Sequence, residues 1–334
     1  MKFIAPGFPV SRPRRLRSTP QLRDWVRESV LDPKRLVQPL FVRPGRGLRN
    51  PVPSMPGVVQ HSPDTLLADV DGIVKAGVSS VLLFGIPDSK DTKATGAYAK
   101  NGIVQTATRL LRKEFPQLLI VTDVCLCEYT SHGHCGMVHR RDQHVCIDND
   151  TTLPLLARTA VSHAEAGADV IAPSDMMDGR IAAIRGALDK AGFLDTPIMS
   201  YAAKFSSAYY GPFRDVAESA PKFGDRRSYQ MDPMNGNEAL REVAHDIQEG
   251  ADIVMVKPAL SYLDILWRVK EEFGLPTAAY SVSAEYSMIK SAAANGWVDE
   301  RALALETLKS MRRAGADIII TYWAKQVADW LKEA

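Results

Sequence analysis

Eight short apolar runs recur along the chain, and longer segments of amphipathic pattern separate them. Most of the runs are rich in Val and Ile and are bounded by Gly, Pro or Asp, which is typical of strands buried on both faces of a parallel sheet. The predicted strands are residues 36–42, 80–86, 118–127, 169–175, 197–205, 252–258, 277–285 and 317–323.

The amphipathic segments predict helices that end in a recurring way. They include residues 64–76, 153–166, 237–249, 261–273 and 300–314. Gly77, Gly167, Gly250 and Gly315 stop helices in the left-handed conformation, and the last three continue as Ala-Asp into a new strand. Eight such units predict one (β/α)8 barrel, or TIM barrel, over residues 35–334. A doubly wound sheet is the alternative, but residues 43–48 lack its glycine-rich phosphate loop.

Composition places the chain among ordinary globular proteins. Hydrophobic residues make up 46% and charged residues 24%, and the net charge of +2 gives no reason to expect a nucleic-acid partner. No apolar run approaches the roughly 18 residues that span a membrane, and the start is too short and proline-containing for a secretory signal. Four cysteines without such a signal favour a reducing, cytoplasmic location.

The N-terminal segment, residues 1–34, differs in charge from the rest. Residues 1–17 carry +5 and no acid, which leaves −3 for the remainder. The segment could be a disordered tail, an arm that wraps a neighbouring subunit, or a site for RNA or an acidic surface. The absence of interleaved aromatic residues weakens the last interpretation.

Three cysteines provide the most specific chemical signal. Cys125, Cys127 and Cys135 follow the spacing C-x-C-x7-C, and three thiolates can hold zinc with one tetrahedral position free. The alternatives are small buried hydrophobic residues, or a disulfide, which two residues about 6–7 Å apart on one side of a strand disfavour. His132 and His134 are further candidate ligands, the alternative being solvated loop histidines, and Cys146 is expected to be unrelated.

Two lysines end consecutive predicted strands. Lys204 and Lys257 each close an apolar run, and the active sites of (β/α)8 barrels lie at the carboxyl ends of the strands. Burial and a neighbouring ammonium both lower the pKa of an amine, and a neutral amine can form a Schiff base with a ketone. The alternative is a lysine paired with an acid or extended to solvent.

The long connection after Lys204 is a candidate lid. Arg214 and Arg226 within it could bind a substrate carboxylate bidentately, or could be solvated surface residues. Ser283 and Tyr322 lie at the carboxyl ends of the last two predicted strands, where they could hydrogen-bond a second carboxylate or simply cap strand ends.

From about Arg12 to its end the chain resembles the porphobilinogen synthase (delta-aminolevulinic acid dehydratase) family. The matching motifs are residues 123–136 (DVCLCEYTSHGHCG), 172–180 (APSDMMDGR), 204–214 (KFSSAYYGPFR), 225–231 (DRRSYQM), 255–258 (MVKP) and 321–322 (TY). The resemblance implies a TIM barrel with an extended N-terminal arm that builds a homo-octamer. It implies condensation of two 5-aminolevulinate molecules to porphobilinogen, with loss of two waters, in tetrapyrrole (heme) biosynthesis.

The resemblance also assigns roles by position. It implies that Lys257 forms the Schiff base with the first substrate, that Lys204 forms one with the second or assists there, and that Asp123 is a polar partner in proton transfer. The other implied roles are zinc binding by Cys125, Cys127 and Cys135, binding of the second carboxylate by Arg214 and Arg226, and binding of the first by Ser283 and Tyr322.

The family divides by metal use, and the three cysteines resemble its zinc type. Glu238 matches the position of an allosteric magnesium in bacterial members; the alternative is an acid favoured in the first turn of a helix. Ala284 departs from the usual glycine. Ser228 stands where some animal members have a cysteine of a second zinc site.

Two other functions fit parts of the pattern. A class I aldolase would use one lysine imine on the same barrel and no metal. A non-catalytic barrel with a structural zinc and a basic arm would leave the paired lysines unexplained.

Overall fold

The computed structural model describes residues 6–141 and 144–333, so the first five residues of the predicted arm and Ala334 lie outside it. Twelve strands are described. They are β1 (Leu36–Val42), β2 (Arg49–Pro51), β3 (Val59–His61), β4 (Ser80–Gly85), β5 (Leu119–Val124), β6 (Met137–Arg141), β7 (His144–Asp148), β8 (Val170–Pro173), β9 (Met199–Lys204), β10 (Ile253–Lys257), β11 (Thr277–Tyr280) and β12 (Ile318–Ile320).

Eight of these strands form a closed parallel barrel. Their order is β8-β5-β4-β1-β12-β11-β10-β9, and Ile171 of β8 bridges to Ile198 just before β9, which closes the ring. The predicted (β/α)8 barrel is therefore confirmed, with all eight predicted strands present. The hairpins β2–β3 and β6–β7 were not predicted.

Three predicted strands end three or more residues earlier than expected. β5 stops at Val124, so the first two cysteines lie in the following loop; β11 stops at Tyr280, so Ser283 begins a helix instead; and β12 stops at Ile320, before Tyr322. The apolar pattern continues past all three ends because the residues that follow remain buried. The carboxyl ends of strands thus extend into short, packed loops that carry the candidate site.

Eleven α-helices surround and extend the barrel. They are α1 (Pro20–Trp25), α2 (Pro63–Ala76), α3 (Ile103–Glu114), α4 (Asn149–Glu165), α5 (Arg180–Lys190), α6 (Gly211–Val216), α7 (Gly236–Gln248), α8 (Leu263–Phe273), α9 (Ser283–Ala294), α10 (Glu300–Arg313) and α11 (Ala324–Lys332). Helix α4 begins four residues before the predicted start because Asp148 caps it by accepting from Thr151 N. No helix in the described ranges is long and apolar enough to cross a membrane.

The Gly-Ala-Asp motifs have a specific structural role at the amino ends of the strands. Each glycine is left-handed, with φ between 99° and 112°, and each aspartate accepts a backbone N–H from the neighbouring strand or the residue just before it. The pairs are Asp169 with Ile120 N (2.7 Å), Asp252 with Ile198 N (2.8 Å) and Asp317 with Thr277 N (3.1 Å). The motif therefore joins adjacent strands at the bottom of the barrel.

The N-terminal segment packs little against the barrel. None of residues 6–30 is buried, and Leu31 is the first buried side chain. Phe8, Trp25 and Val30 are largely exposed. The segment is therefore an extension with apolar side chains on its surface, and its part in assembly stays a prediction.

Candidate active site

The two lysines predicted to carry chemistry are direct neighbours across β9 and β10. Lys204 and Lys257 are register partners in the parallel ladder, and both side chains are buried. Their Nζ atoms lie 5.6 and 4.9 Å from the centroid of the Tyr201 ring. The barrel mouth thus brings two amines to one place.

An aromatic cage surrounds Lys257. Its Nζ lies 4.1 Å from the Tyr280 ring centroid, 5.0 Å from that of Phe213 and 5.5 Å from that of Tyr210. Burial, and next the charge of Lys204, lower the pKa of Lys257 to about 7, although nearby acids oppose the shift. A substantial fraction of this amine is therefore neutral and nucleophilic near pH 7.

Lys204 belongs to a polar chain that reaches Asp123. Its Nζ donates to the Ser174 carbonyl, and Ser174 Oγ donates to Asp123 Oδ2 at 3.1 Å. Burial, and next the charge of Glu128, raise the pKa of Asp123 to about 7, although the two lysines oppose the shift. Asp123 Oδ1 has no hydrogen-bond partner among the described residues. A carboxyl group of this kind can take up or release a proton near neutral pH.

The three predicted metal ligands converge in the loop after β5. The Sγ atoms of Cys125, Cys127 and Cys135 lie within 4.8 Å of one another and are buried, with 3.3 Å between the first two. Hydrogen bonds from the other two thiols hold the pKa of Cys135 well below its usual range, whereas burial raises that of Cys125. Three soft donors converging on one point fit a zinc ion with one open coordination position.

The two loop histidines do not join this cluster. His134 Nδ1 lies 3.0 Å from the Tyr229 hydroxyl and Nε2 lies 2.9 Å from the Phe223 carbonyl, so both nitrogens are engaged. His132 Nδ1 accepts from His134 N at 3.1 Å. Cys146 lies apart on β7 and, like the other three cysteines, is free.

The predicted clamp arginines lie in the connection between β9 and α7. Arg226 is buried, and its Nη2 donates to the carbonyls of Gly133 (3.0 Å) and Ser219 (2.7 Å). Burial, and next the charge of Arg226, lower the pKa of Arg214. The Nε atoms of both arginines have no hydrogen-bond partner among the described residues. Two nearby guanidinium groups with free donors can bind an anion.

Ser283 and Tyr322 lie on the Lys257 side of the mouth. Ser283 Oγ accepts from Phe213 N (3.0 Å) and donates to the Tyr209 carbonyl (3.2 Å). The Tyr322 hydroxyl lies 3.3 Å from that of Tyr280. Both residues therefore contact members of the cage around Lys257.

Sequence reasoning missed the cage itself and a buried acid. Tyr201 and Tyr280 lie within apolar strands, where an aromatic residue is indistinguishable from core. Burial raises the pKa of Glu285 to about 7, and its carboxyl accepts from Leu260 N (2.9 Å) and Val282 N (3.0 Å). The signal for Glu285 was its place as the last residue of the predicted strand 277–285.

Glu238 lies outside the barrel mouth, in the first turn of α7. It accepts from Asn235 Nδ2 at 2.8 Å and lines a cavity of about 400 Å³ together with Asp178, Glu242 and Cys146. Burial raises the pKa of Glu242. The predicted magnesium site therefore lies among several carboxylates.

Buried amines and clustered thiols at the carboxyl ends of (β/α)8 strands define an enzyme site, and comparisons with known proteins identify its family. The family model described as delta-aminolevulinic acid dehydratase matches residues 10–330. The chain is 58% identical over 324 residues to the delta-aminolevulinic acid dehydratase of Synechococcus elongatus (97% of this chain, 99% of that one), and 55% identical over 323 residues to that of Bacillus subtilis (97% and 98%).

A solved structure gives the same result. The delta-aminolevulinic acid dehydratase (porphobilinogen synthase) of Toxoplasma gondii ME49, in complex with the reaction product porphobilinogen, superposes with a TM-score of 0.94 at 44% identity, covering 97% of this chain and 92% of that one. The chain belongs to the delta-aminolevulinic acid dehydratase family, and it is a lyase.

Proposed function

We propose that this enzyme condenses two molecules of 5-aminolevulinate to porphobilinogen with loss of two waters, in tetrapyrrole (heme) biosynthesis. The observation that carries the proposal is the register pairing of Lys204 with Lys257 in one mouth that also holds three converging thiols. A class I aldolase needs one lysine and no metal, so this arrangement disfavours that alternative.

The lysines supply the covalent chemistry. The neutral Lys257 amine attacks the ketone of the first substrate, and loss of water leaves an imine. Lys204 does the same with the second substrate, or positions it. Asp123, joined to Lys204 through Ser174, holds or transfers a proton beside both amines.

The zinc would be held by Cys125, Cys127 and Cys135, and it would act as a Lewis acid that polarises a substrate oxygen. Its three thiol ligands support assignment to the zinc type of the family, since a magnesium site would require oxygen donors. A second metal ion, an allosteric magnesium at Glu238, is supported by the carboxylates of Glu242 and Asp178, which line the same cavity.

Two different clamps would orient two identical substrates. Arg214 and Arg226 would bind the carboxylate of the second substrate through their free donors. Ser283 and Tyr322 would bind that of the first, beside the Lys257 cage. Holding both substrates in reactive geometry lowers the activation barrier by several kcal/mol, and by about 7–11 kcal/mol in the best cases.

We further propose that residues 1–34 form the arm of a homo-octamer. Apolar side chains on its surface, including Phe8 and Trp25, support burial against another subunit. Free thiols suit a reducing compartment, and the cytoplasm is the proposed location.

The test is porphobilinogen formation from 5-aminolevulinate by enzyme treated with a chelator and then supplied with zinc or magnesium. We expect zinc alone to restore activity. Restoration by magnesium alone would overturn the metal assignment, and no porphobilinogen under any condition would overturn the function.

A further inference from the structure

The segment that carries the clamp arginines is hydrogen-bonded to the loop that carries the cysteines. We call residues 205–235, which include α6, the β9–α7 loop, and residues 125–136 the cysteine loop. The β9–α7 loop contacts three consecutive residues of the cysteine loop. The contacts are Lys222 N to His132 O (3.0 Å), Arg226 Nη2 to Gly133 O (3.0 Å), His134 Nε2 to Phe223 O (2.9 Å) and Tyr229 Oη to His134 Nδ1 (3.0 Å).

His134 lies at the centre of this junction. A carbonyl can only accept, so Nε2 carries the hydrogen that it donates to the Phe223 carbonyl, and in that tautomer Nδ1 accepts from the Tyr229 hydroxyl. The ring is 2% exposed and packs against Phe223, with 4.5 Å between ring centroids and 37° between the ring planes. With both nitrogens engaged, the imidazole has no lone pair left for a metal.

Gly133 allows the two loops to approach this closely. Its φ is +76°, and a Cβ there would lie 2.3 Å from the Ala220 carbonyl oxygen. The backbone of the β9–α7 loop therefore lies directly on the cysteine loop, two residues before Cys135.

We propose that His134 is a positioning residue that fastens the β9–α7 loop to the cysteine loop. Binding of zinc to the cysteines and ordering of Arg214 and Arg226 are then coupled, so the second carboxylate site forms only over a filled metal site. The inference rests on the proposed function for the roles of the metal and the arginines.

Hydrogen–deuterium exchange on the full-length enzyme, with and without zinc, tests the coupling. In the wild type we expect zinc to slow exchange in residues 219–231, including the Lys222 amide. Tyr229→Phe removes only the hydroxyl bonded to His134, so zinc content should be retained while this protection is largely lost. Tyr209→Phe is the matched control, because its hydroxyl bonds Ser261 instead, and it should respond to zinc like the wild type.

Kinetics give a second measurement. Tyr229→Phe should raise the apparent KM for 5-aminolevulinate roughly fivefold, the size of one net hydrogen bond, with kcat little changed. His134→Asn keeps an acceptor for Tyr229 but loses the donor to Phe223, and it should retain zinc.

Equal zinc protection in Tyr229→Phe and wild type would overturn the coupling. Loss of zinc from His134→Asn to the extent seen on removing a cysteine would make His134 a ligand and also overturn it. If the wild type forms no porphobilinogen but zinc still protects residues 219–231, the proposed function fails and the coupling stands.

Discussion

Polar side chains at the two ends of this barrel are in different environments: they are paired at the amino ends of the strands, whereas at the carboxyl ends burial displaces their pKa values. At the amino ends of the strands, Asp317 accepts from Lys270 at 2.7 Å and from Thr277 N. Burial raises the pKa of Asp317, but these two hydrogen bonds and the charges of Lys270 and Arg312 together outweigh burial and lower the pKa. At the carboxyl ends, Lys257 and Asp123 both have pKa values displaced to about 7.

Buried polar groups without partners are more numerous at the carboxyl end. The Tyr201 hydroxyl, Ser281 Oγ, Asp123 Oδ1 and Arg226 Nε there lack hydrogen-bond partners among the described residues, whereas Arg312 Nε is the corresponding case beside Asp317. Buried polar groups are normally paired, so several groups left without partners around one barrel mouth indicate where a ligand completes the structure. The amino end is built for stability, and the carboxyl end keeps polar groups available for substrate.

The largest effect expected from this difference is on lysine replacement. Lys257→Met should lower kcat by about 10³-fold or more, because the imine-forming amine is lost, while the melting temperature stays the same or rises because a buried amine no longer has to be desolvated. Porphobilinogen formation and thermal unfolding measure the two effects.

Lys270→Met is the matched control at the opposite end. It removes one of three cationic partners of Asp317, the others being Arg312 and Arg35, so stability should fall while kcat remains within about twofold of wild type. If kcat of Lys270→Met fell as much as that of Lys257→Met, the two ends of the barrel would not differ in function.

Metal removal should affect only the carboxyl end of the barrel, where the cysteines lie. Chelation should lower activity at least about tenfold, yet shift the melting temperature by less than about 5 °C, because the metal would serve chemistry rather than hold the fold. Activity and circular dichroism on the same sample measure both. Unfolding in step with chelation would instead identify a structural zinc.

Asp317→Asn should weaken the amino end without changing chemistry. Loss of the charged acceptor should reduce the free energy of unfolding by about 1–2 kcal/mol, measured by urea denaturation, with kcat unchanged. Asp329→Asn, whose contact with Lys332 is exposed and 3.8 Å long, should change stability by less than about 0.5 kcal/mol. Equal effects from both would remove the special role of the Gly-Ala-Asp motif.

The last prediction is a pH dependence of stability. Because the pKa of Lys257 is lowered to about 7 from 10.5, the unfolded chain binds the extra proton between these values, and this residue alone makes stability rise with pH there. The contribution is at most about 1.4 kcal/mol per pH unit. From pH 7 to 9 the free energy of unfolding should rise more with pH in the wild type than in Lys257→Met. Parallel curves would show that the amine keeps its ordinary pKa.

The barrel could be predicted from the sequence because buried strands appear as runs of apolar residues. All eight barrel strands follow from apolar runs, and the three cysteines and two lysines follow from chemistry placed at strand ends. The displaced strand ends at Val124, Tyr280 and Ile320 show the limit of that pattern, since buried loops are as apolar as strands.

The remaining features depend on contacts far apart in sequence. The cage around Lys257 combines Tyr201, Tyr210, Phe213 and Tyr280, and nothing in the sequence around one of these residues links it to the others. His134 was considered as a ligand, but its partners Phe223 and Tyr229 lie about ninety residues away. Only the folded chain brings such groups together.

Borohydride trapping with 5-aminolevulinate tests the central claim most directly. Reduction followed by peptide mapping should find a covalent adduct on Lys257, and Lys257→Met should lose that adduct together with porphobilinogen formation. An active enzyme with no adduct on Lys257, or an adduct on a lysine of the opposite end such as Lys270, would contradict the account.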